Sequence, residues 1–137
     1  LGNDGNIWGG EFMICKREDF ERRHWFEYVP MPGGDMATRE PWRMALSYLL
    51  HTFGNDYPSL PFLADIPDTS VSMVGQAIEK GINAPLTSST GRLFDAAAAL
   101  CGLCNISSFH AEAPMRLEGA IAPGESGSYP FSIEESI

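Results

Sequence analysis

Asn83-Ala84-Pro85-Leu86-Thr87-Ser88-Ser89-Thr90-Gly91-Arg92-Leu93-Phe94-Asp95-Ala96-Ala97-Ala98-Ala99-Leu100 carries the clearest structural signal in the chain. The hydroxyl run Thr87, Ser88, Ser89 and Thr90 supplies oxygens that can accept the orphan N–H groups of a first helical turn. After Gly91 come Leu93, Phe94, four alanines and Leu100, which predicts a small-residue helix able to approach another backbone closely. The start of such a helix carries partial positive charge and suits anions.

Outward from this helix the pattern stays mixed. Toward the C-terminus a helix is expected around Ala113 to Ala120, ended near Gly119 or Pro123, then a loop from Gly124 to Ser128 and a strand from Tyr129 to Ile133. Toward the N-terminus, Val71, Val74 and Ile78 share one face of a predicted helix from Ser70 to Lys80, which Gly81 stops. Pro58, Pro61 and Pro67 make Asp56 to Asp68 an irregular connector, packed by Leu60, Phe62 and Leu63. A longer helix is expected over Met36 to Phe53, capped by Asp35, with Pro41 in its first turn or kinking it, and stopped at Gly54 and Asn55.

Before Pro32, two apolar and aromatic runs, Ile7 to Cys15 and His24 to Val29, flank the polar stretch Lys16 to Arg23. They predict a β-hairpin with aromatics, and so burial, on both faces. The fold class is therefore α+β, a helix-rich body with a β-hairpin, read as a single domain over residues 1–137. A chain of this length can bury roughly two-thirds of its unfolded surface, enough for one sizeable core.

Charge narrows the function classes. Nine Lys and Arg stand against 18 Asp and Glu, a formal net charge of −9, a field that repels nucleic acid and anionic lipid. Neither nucleic acid nor membrane is expected as a partner. No run approaches the roughly 20 apolar residues of a membrane helix, and no leader-like segment opens the sequence. Three cysteines, an odd number, fit a reducing compartment better than a disulfide framework, so the cytoplasm is the expected location. With Leu1 first and an acidic stretch last, the chain reads as a piece of something longer.

Motifs weighed one at a time give little chemistry. Cys101 and Cys104 form a C-x-x-C pair with no second pair to complete a tetrahedral zinc site, and they close a helix where a redox pair would open one. They are expected as packing thiols. His24, His51 and His110 lack the spacing that sets two imidazoles on one helix face. Gly9-Gly10 and Gly33-Gly34 fit neither a P-loop nor a dinucleotide fingerprint. No Ser/His/Asp order or carboxylate pair assigns a catalytic residue, and no metal site is assigned.

Three blocks taken together resemble the carbamoyltransferase HypF family, which matures nickel-iron hydrogenases. They are Asp4-Gly5-Asn6-Ile7-Trp8-Gly9-Gly10-Glu11-Phe12, then Pro30-Met31-Pro32-Gly33-Gly34-Asp35 with Arg39-Glu40-Pro41-Trp42-Arg43-Met44-Ala45, then Pro85-Leu86-Thr87-Ser88-Ser89 with Gly91-Arg92-Leu93-Phe94-Asp95-Ala96. They occur in the family's order and near its spacing, and cover almost the whole chain. The resemblance is weakest between Tyr57 and Gly81 and after Gly119. It implies an internal piece of the family's C-terminal module, which is of the actin-like ATPase superfamily.

The resemblance implies a function for the intact protein: carbamoyl phosphate and ATP become a carbamoyl-adenylate, and the carbamoyl group passes to the C-terminal cysteine of the partner HypE, where it yields the cyanide precursor. ATP with Mg and a zinc or iron ion would serve the intact enzyme. The family's histidine metal motif and D-G-T-G loop would lie upstream and an S-G-G-V-F-Q-N-like segment downstream, so this piece alone is expected to be inactive and to hold no complete cofactor site. A non-catalytic, partner-docking segment is the alternative, and a small-molecule O-carbamoyltransferase a third, which the Arg39 to Ala45 block disfavours.

By the same resemblance, Asp95 would accept hydrogen bonds from ribose hydroxyls, Gly91 would allow close approach and Arg92 would supply positive charge. Gly33, Gly34, Asp35 and Arg39 are expected to line the same cleft, and Arg43 and Glu40 to form an internal ion pair. At Phe109-His110-Ala111-Glu112-Ala113-Pro114 many relatives carry Y-E-G-Q-A-A. Ala111 thus replaces a glycine, and Glu112 is a candidate ligand contact.

Overall fold

The computed structural model describes residues 1–134. In order come β1 (Glu11–Cys15), β2 (Phe20–Trp25), β3 (Val29–Pro30), α1 (Met36–Arg39), α2 (Pro41–Phe53), α3 (Asp68–Lys80), β4 (Leu86–Thr87), α4 (Thr90–Leu100) and α5 (Glu112–Gly119). Short 3-10 turns at Gly54–Asp56 and Pro61–Leu63 fill part of the proline-rich connector. The helix-rich α+β mixture is the one the sequence predicts.

The expected Met36 to Phe53 helix divides at Glu40, whose backbone (φ −123°, ψ 74°) leaves the helical region. A residue before proline avoids that region, and a proline at the first helical position loses no hydrogen bond. Pro41 therefore opens α2 instead of bending a longer helix. Glu40 turns back to receive the Arg43 guanidinium, Nε to Oε2 2.5 Å, the expected ion pair.

Helix α2 forms the centre of the core. Trp42, Met44, Ala45, Leu46 and Leu49 are buried together with Val29, Phe62, Ile66 and Val74. Ala96 and Ala99 of α4 join this cluster, while Ala98 faces away from it and packs with Cys104 and with Ala113 of α5. The alanine run thus serves two interfaces, with α2 on one side and α5 on the other, and its short side chains permit both. Helix α3 enters through Val74, with Val71 and Ile78 packed against the same cluster.

A second, two-stranded sheet pairs β3 with β4 antiparallel, Val29 opposite Thr87 and Pro30 opposite Leu86. Ile7 adds a parallel bridge to Thr87: its N–H donates to Leu86 O at 2.9 Å, and Ser88 N–H donates to Ile7 O at 3.0 Å. The backbone just ahead of α4 is held from both sides. A methyl group at Gly10 would lie 2.2 Å from Ser88 O and 2.4 Å from the Phe26 ring, so only glycine allows this close approach.

The hairpin differs from expectation. Strand β2 begins at Phe20, so Phe20, Glu21, Arg22 and Arg23 lie in a strand and the turn is only Lys16 to Asp19, closed by Lys16 N–H to Asp19 O at 2.7 Å. Val29 leaves the hairpin for β3. A bulge shifts the register between Phe12 and Met13, and Phe12, Ile14 and Phe20 remain exposed instead of buried. The packing centre is a charge. The Arg22 guanidinium lies 4.1 Å from the ring centroids of both Trp8 and Trp25. It donates to Tyr28 OH at 2.8 Å, Glu11 Oε1 at 3.0 Å and Asp4 Oδ2 at 3.2 Å.

The remaining corrections are local. Asp35 and Ser89 precede helices, but neither side chain makes a capping hydrogen bond. No strand forms at 129–133; Tyr129 is 94% exposed and Phe131 87%, with no neighbouring strand to pair. Helices α3 and α5 begin two residues and one residue earlier than expected, respectively. Cys104 is a buried packing thiol as expected, whereas Cys101, at the C-cap of α4, is exposed. Among the described residues no helix is long and apolar enough to cross a membrane.

Candidate functional site

The start of α4 is positioned by the small sheet and partly covered by it. Thr87 Oγ1 accepts Ser89 N–H at 3.1 Å, and Thr90 N–H donates to Gly9 O at 3.2 Å. The end of the helix therefore already faces protein backbone. What opens outward is its flank, one turn further in, where Arg92 and Asp95 stand three residues apart.

Asp95 is 2% exposed. Arg92 Nη2 approaches its Oδ2 to 2.9 Å, yet no directed hydrogen bond reaches that oxygen, and Arg92 Nε is likewise buried without a partner. Burial pushes the carboxyl pKa up to about 6, against the opposing pull of Arg92 and His110. Arg92 is thus the charge that offsets the burial of this carboxylate.

Asp95 lines a cleft of about 540 Å³. Thr38 and Arg39 at the end of α1 form one side, Arg92 and Asp95 a second, and the loop from Ser107 to Ala111 the third. Ser107 N–H donates to Arg39 O at 2.8 Å, which draws the loop onto α1. Glu112 Oε2 then accepts both Ser108 N–H at 2.5 Å and Ser108 Oγ–H at 2.7 Å, while its Oε1 pairs with Arg116 Nη2 at 2.6 Å. The two Ser108 donors, with Arg116 beside them, hold the Glu112 carboxyl down at about 2. Between these fixed points Ala111 adopts φ 62°, the left-handed region.

Of the residues proposed from the sequence, the cleft brings together Arg39, Arg92 and Asp95. Gly33, Gly34, Asp35, Gly91 and Glu112 are not among its lining residues. Gly33 (φ 87°) and Gly34 (φ 55°) form the turn into α1, with Gly33 N–H donated to Asn83 O at 2.7 Å. Gly91 sits in the first turn of α4, and Glu112 is spent on the loop. Thr38, Ser107 and Ser108 escaped the sequence reading. The polar run Asn105 to His110 between two helices was the signal available, and nothing in it says which way the loop folds.

A second polar cluster lies apart from the cleft. Glu11 accepts Gly9 N–H at 2.6 Å and Gly10 N–H at 2.8 Å on one oxygen, and Ser88 Oγ–H and Arg22 on the other. Burial alone would raise its pKa; these donors keep it below the usual carboxylate range. Every oxygen is occupied, so the cluster ties the N-terminal segment and the hairpin to the approach to α4. No three His, Cys, Asp or Glu side chains gather as metal ligands among the described residues.

Comparison with known proteins identifies the family. The family model described as carbamoyltransferase, Kae1-like domain, second subdomain, matches residues 1–137. The chain is 46% identical over 125 residues to carbamoyltransferase HypF of Rhodobacter capsulatus, covering 89% of this chain and 16% of that protein. Its structure matches a full-length HypF crystallised in a phosphate- and nucleotide-bound form, with a TM-score of 0.84, 32% identity and coverage of 98% of this chain and 21% of the other. It also matches T. kodakarensis HypF with a TM-score of 0.73 and 33% identity, over 85% of this chain and 16% of that one. By whole-length family match and by fold, the chain belongs to the HypF carbamoyltransferase family, as the second subdomain of its Kae1-like domain.

Proposed function

We propose that the chain supplies one wall of the nucleotide cleft in an ATP-dependent carbamoyltransferase whose catalytic module belongs to the actin-like ATPase superfamily. The intact enzyme converts carbamoyl phosphate and ATP to a carbamoyl-adenylate and passes the carbamoyl group to the C-terminal cysteine of HypE, toward the cyanide ligands of nickel-iron hydrogenase. The observation that carries this reading is the buried Arg92–Asp95 ion pair, 2.9 Å, at a cleft whose other wall bears Arg39.

Ribose hydroxyls donate to the ionised Asp95 carboxylate, which fixes the sugar and so aims the adenylate. Arg92 keeps that carboxylate charged despite its burial. Arg39, which forms no ion pair among the described residues, offers its guanidinium to the phosphate side of the ligand. ATP, bound with Mg, supplies the adenylyl group that activates the carbamoyl carbon. Since the described residues gather no metal-ligand set, no metal step is assigned to this chain.

In the full-length protein, Asp95→Ala is expected to weaken nucleotide binding and slow transfer to HypE by about tenfold or more, the worth of a hydrogen bond to a charged group. Unchanged affinity and transfer would reject the role. The exposed apolar hairpin, with Phe12, Ile14 and Phe20 outward, favours the second reading, a non-catalytic docking segment. Calorimetry on the full-length protein separates them: nucleotide binding that Asp95→Ala weakens supports the cleft, and nucleotide binding that Asp95→Ala leaves unchanged supports docking.

A further inference from the structure

We infer that Phe109 is the platform on which the base of the bound nucleotide stacks, an assignment that rests on the cleft taking a nucleotide at all. Phe109 lines the same cleft as Asp95 and is 55% exposed, although an apolar ring left in water forgoes the gain of burial. Its backbone is held on both sides. Upstream, Ser107 is bonded to Arg39 O and Ser108 to the Glu112 carboxylate; downstream, Phe109 O accepts Glu112 N–H at 3.4 Å and Ala111 turns the chain through its left-handed conformation. The ring is thus presented from a clamped loop, and its ordering costs are met on folding and not on binding.

The three kinds of group in the cleft fit three parts of one ligand. The Asp95 carboxylate suits a vicinal diol, the Arg39 guanidinium suits a phosphate, and the half-exposed Phe109 ring suits a planar base. Together they select a ribonucleotide over a bare sugar phosphate. Stacking reads the face of a base and not its hydrogen-bonding edge, so the ring distinguishes base from no base more than one base from another.

The test compares AMP with ribose 5-phosphate by calorimetry on the full-length protein. Phe109→Ala is expected to weaken AMP binding roughly 5- to 100-fold, to leave ribose 5-phosphate within about twofold, and to be rescued by Phe109→Tyr to within about threefold. Because the ring is exposed, the thermal midpoint should not move. AMP affinity unchanged by Phe109→Ala, or equal losses for both ligands, would overturn the stacking role. Asp95→Ala is the separate arm: loss for both ligands upholds the cleft, whereas no loss for either, or no AMP binding to the wild-type protein, removes the cleft and the platform with it.

Discussion

Ala111 adopts a conformation that an L-residue enters only at a cost of about 1–2 kcal/mol, since its Cβ crowds the following carbonyl oxygen. What a glycine at this position would offer is backbone freedom. The loop keeps the strained form because its neighbours over-determine it: Glu112 holds Ser108 and Arg116, and Arg39 O holds Ser107. Ala111→Gly is therefore expected to raise stability by about 0.5–1 kcal/mol, a thermal midpoint higher by a few degrees in scanning calorimetry. A lower midpoint would mean that the alanine methyl makes a contact worth more than the strain. The same geometry reassigns Glu112, a candidate ligand contact by resemblance, whose two oxygens are occupied by Ser108 and Arg116.

At the scale of elements, the alanines of α4 set how closely two helices approach it. Ala99 is fully buried in the cluster built on α2, so Ala99→Leu must push the helices apart or force strained rotamers. The expected loss is about 1–3 kcal/mol, read as a thermal midpoint lower by about 5 °C or more, while a midpoint within a degree of wild type would show slack in that interface. Helices α2 and α3 were legible in the sequence because each buries a face, begins beside proline and ends at glycine, and α4 because a hydroxyl run leads into its alanines. The hairpin was legible only as a hairpin. Its limits were misread because Arg22, a residue that composition assigns to a loop, is the centre of its packing between Trp8 and Trp25. The strand expected at 129–133 fails for a related reason: period-2 apolarity makes a strand only where another strand or a core receives it.

At the scale of the whole molecule, the cleft joins residues far apart in sequence, Arg39 from α1, Asp95 from α4 and Phe109 from the loop before α5. Asp95 and Arg92 were legible through the family motif, but the loop's meeting with Arg39, through the backbone hydrogen bond from Ser107, is one that no pattern announces. The helix end expected to face an anion is instead met by Gly9, and the open surface lies along the helix flank. The chain spans 16% of the length of the Rhodobacter capsulatus relative.

The decisive measurement is the affinity of the full-length protein for AMP and for 2′,3′-dideoxy-AMP, in wild type and in Asp95→Ala. Loss of the two hydroxyls should weaken binding to the wild type by about tenfold or more and should cost nothing further once the carboxylate is gone. Equal binding of both nucleotides by the wild type, or the same loss in both proteins, would contradict the assignment of Asp95 to the ribose.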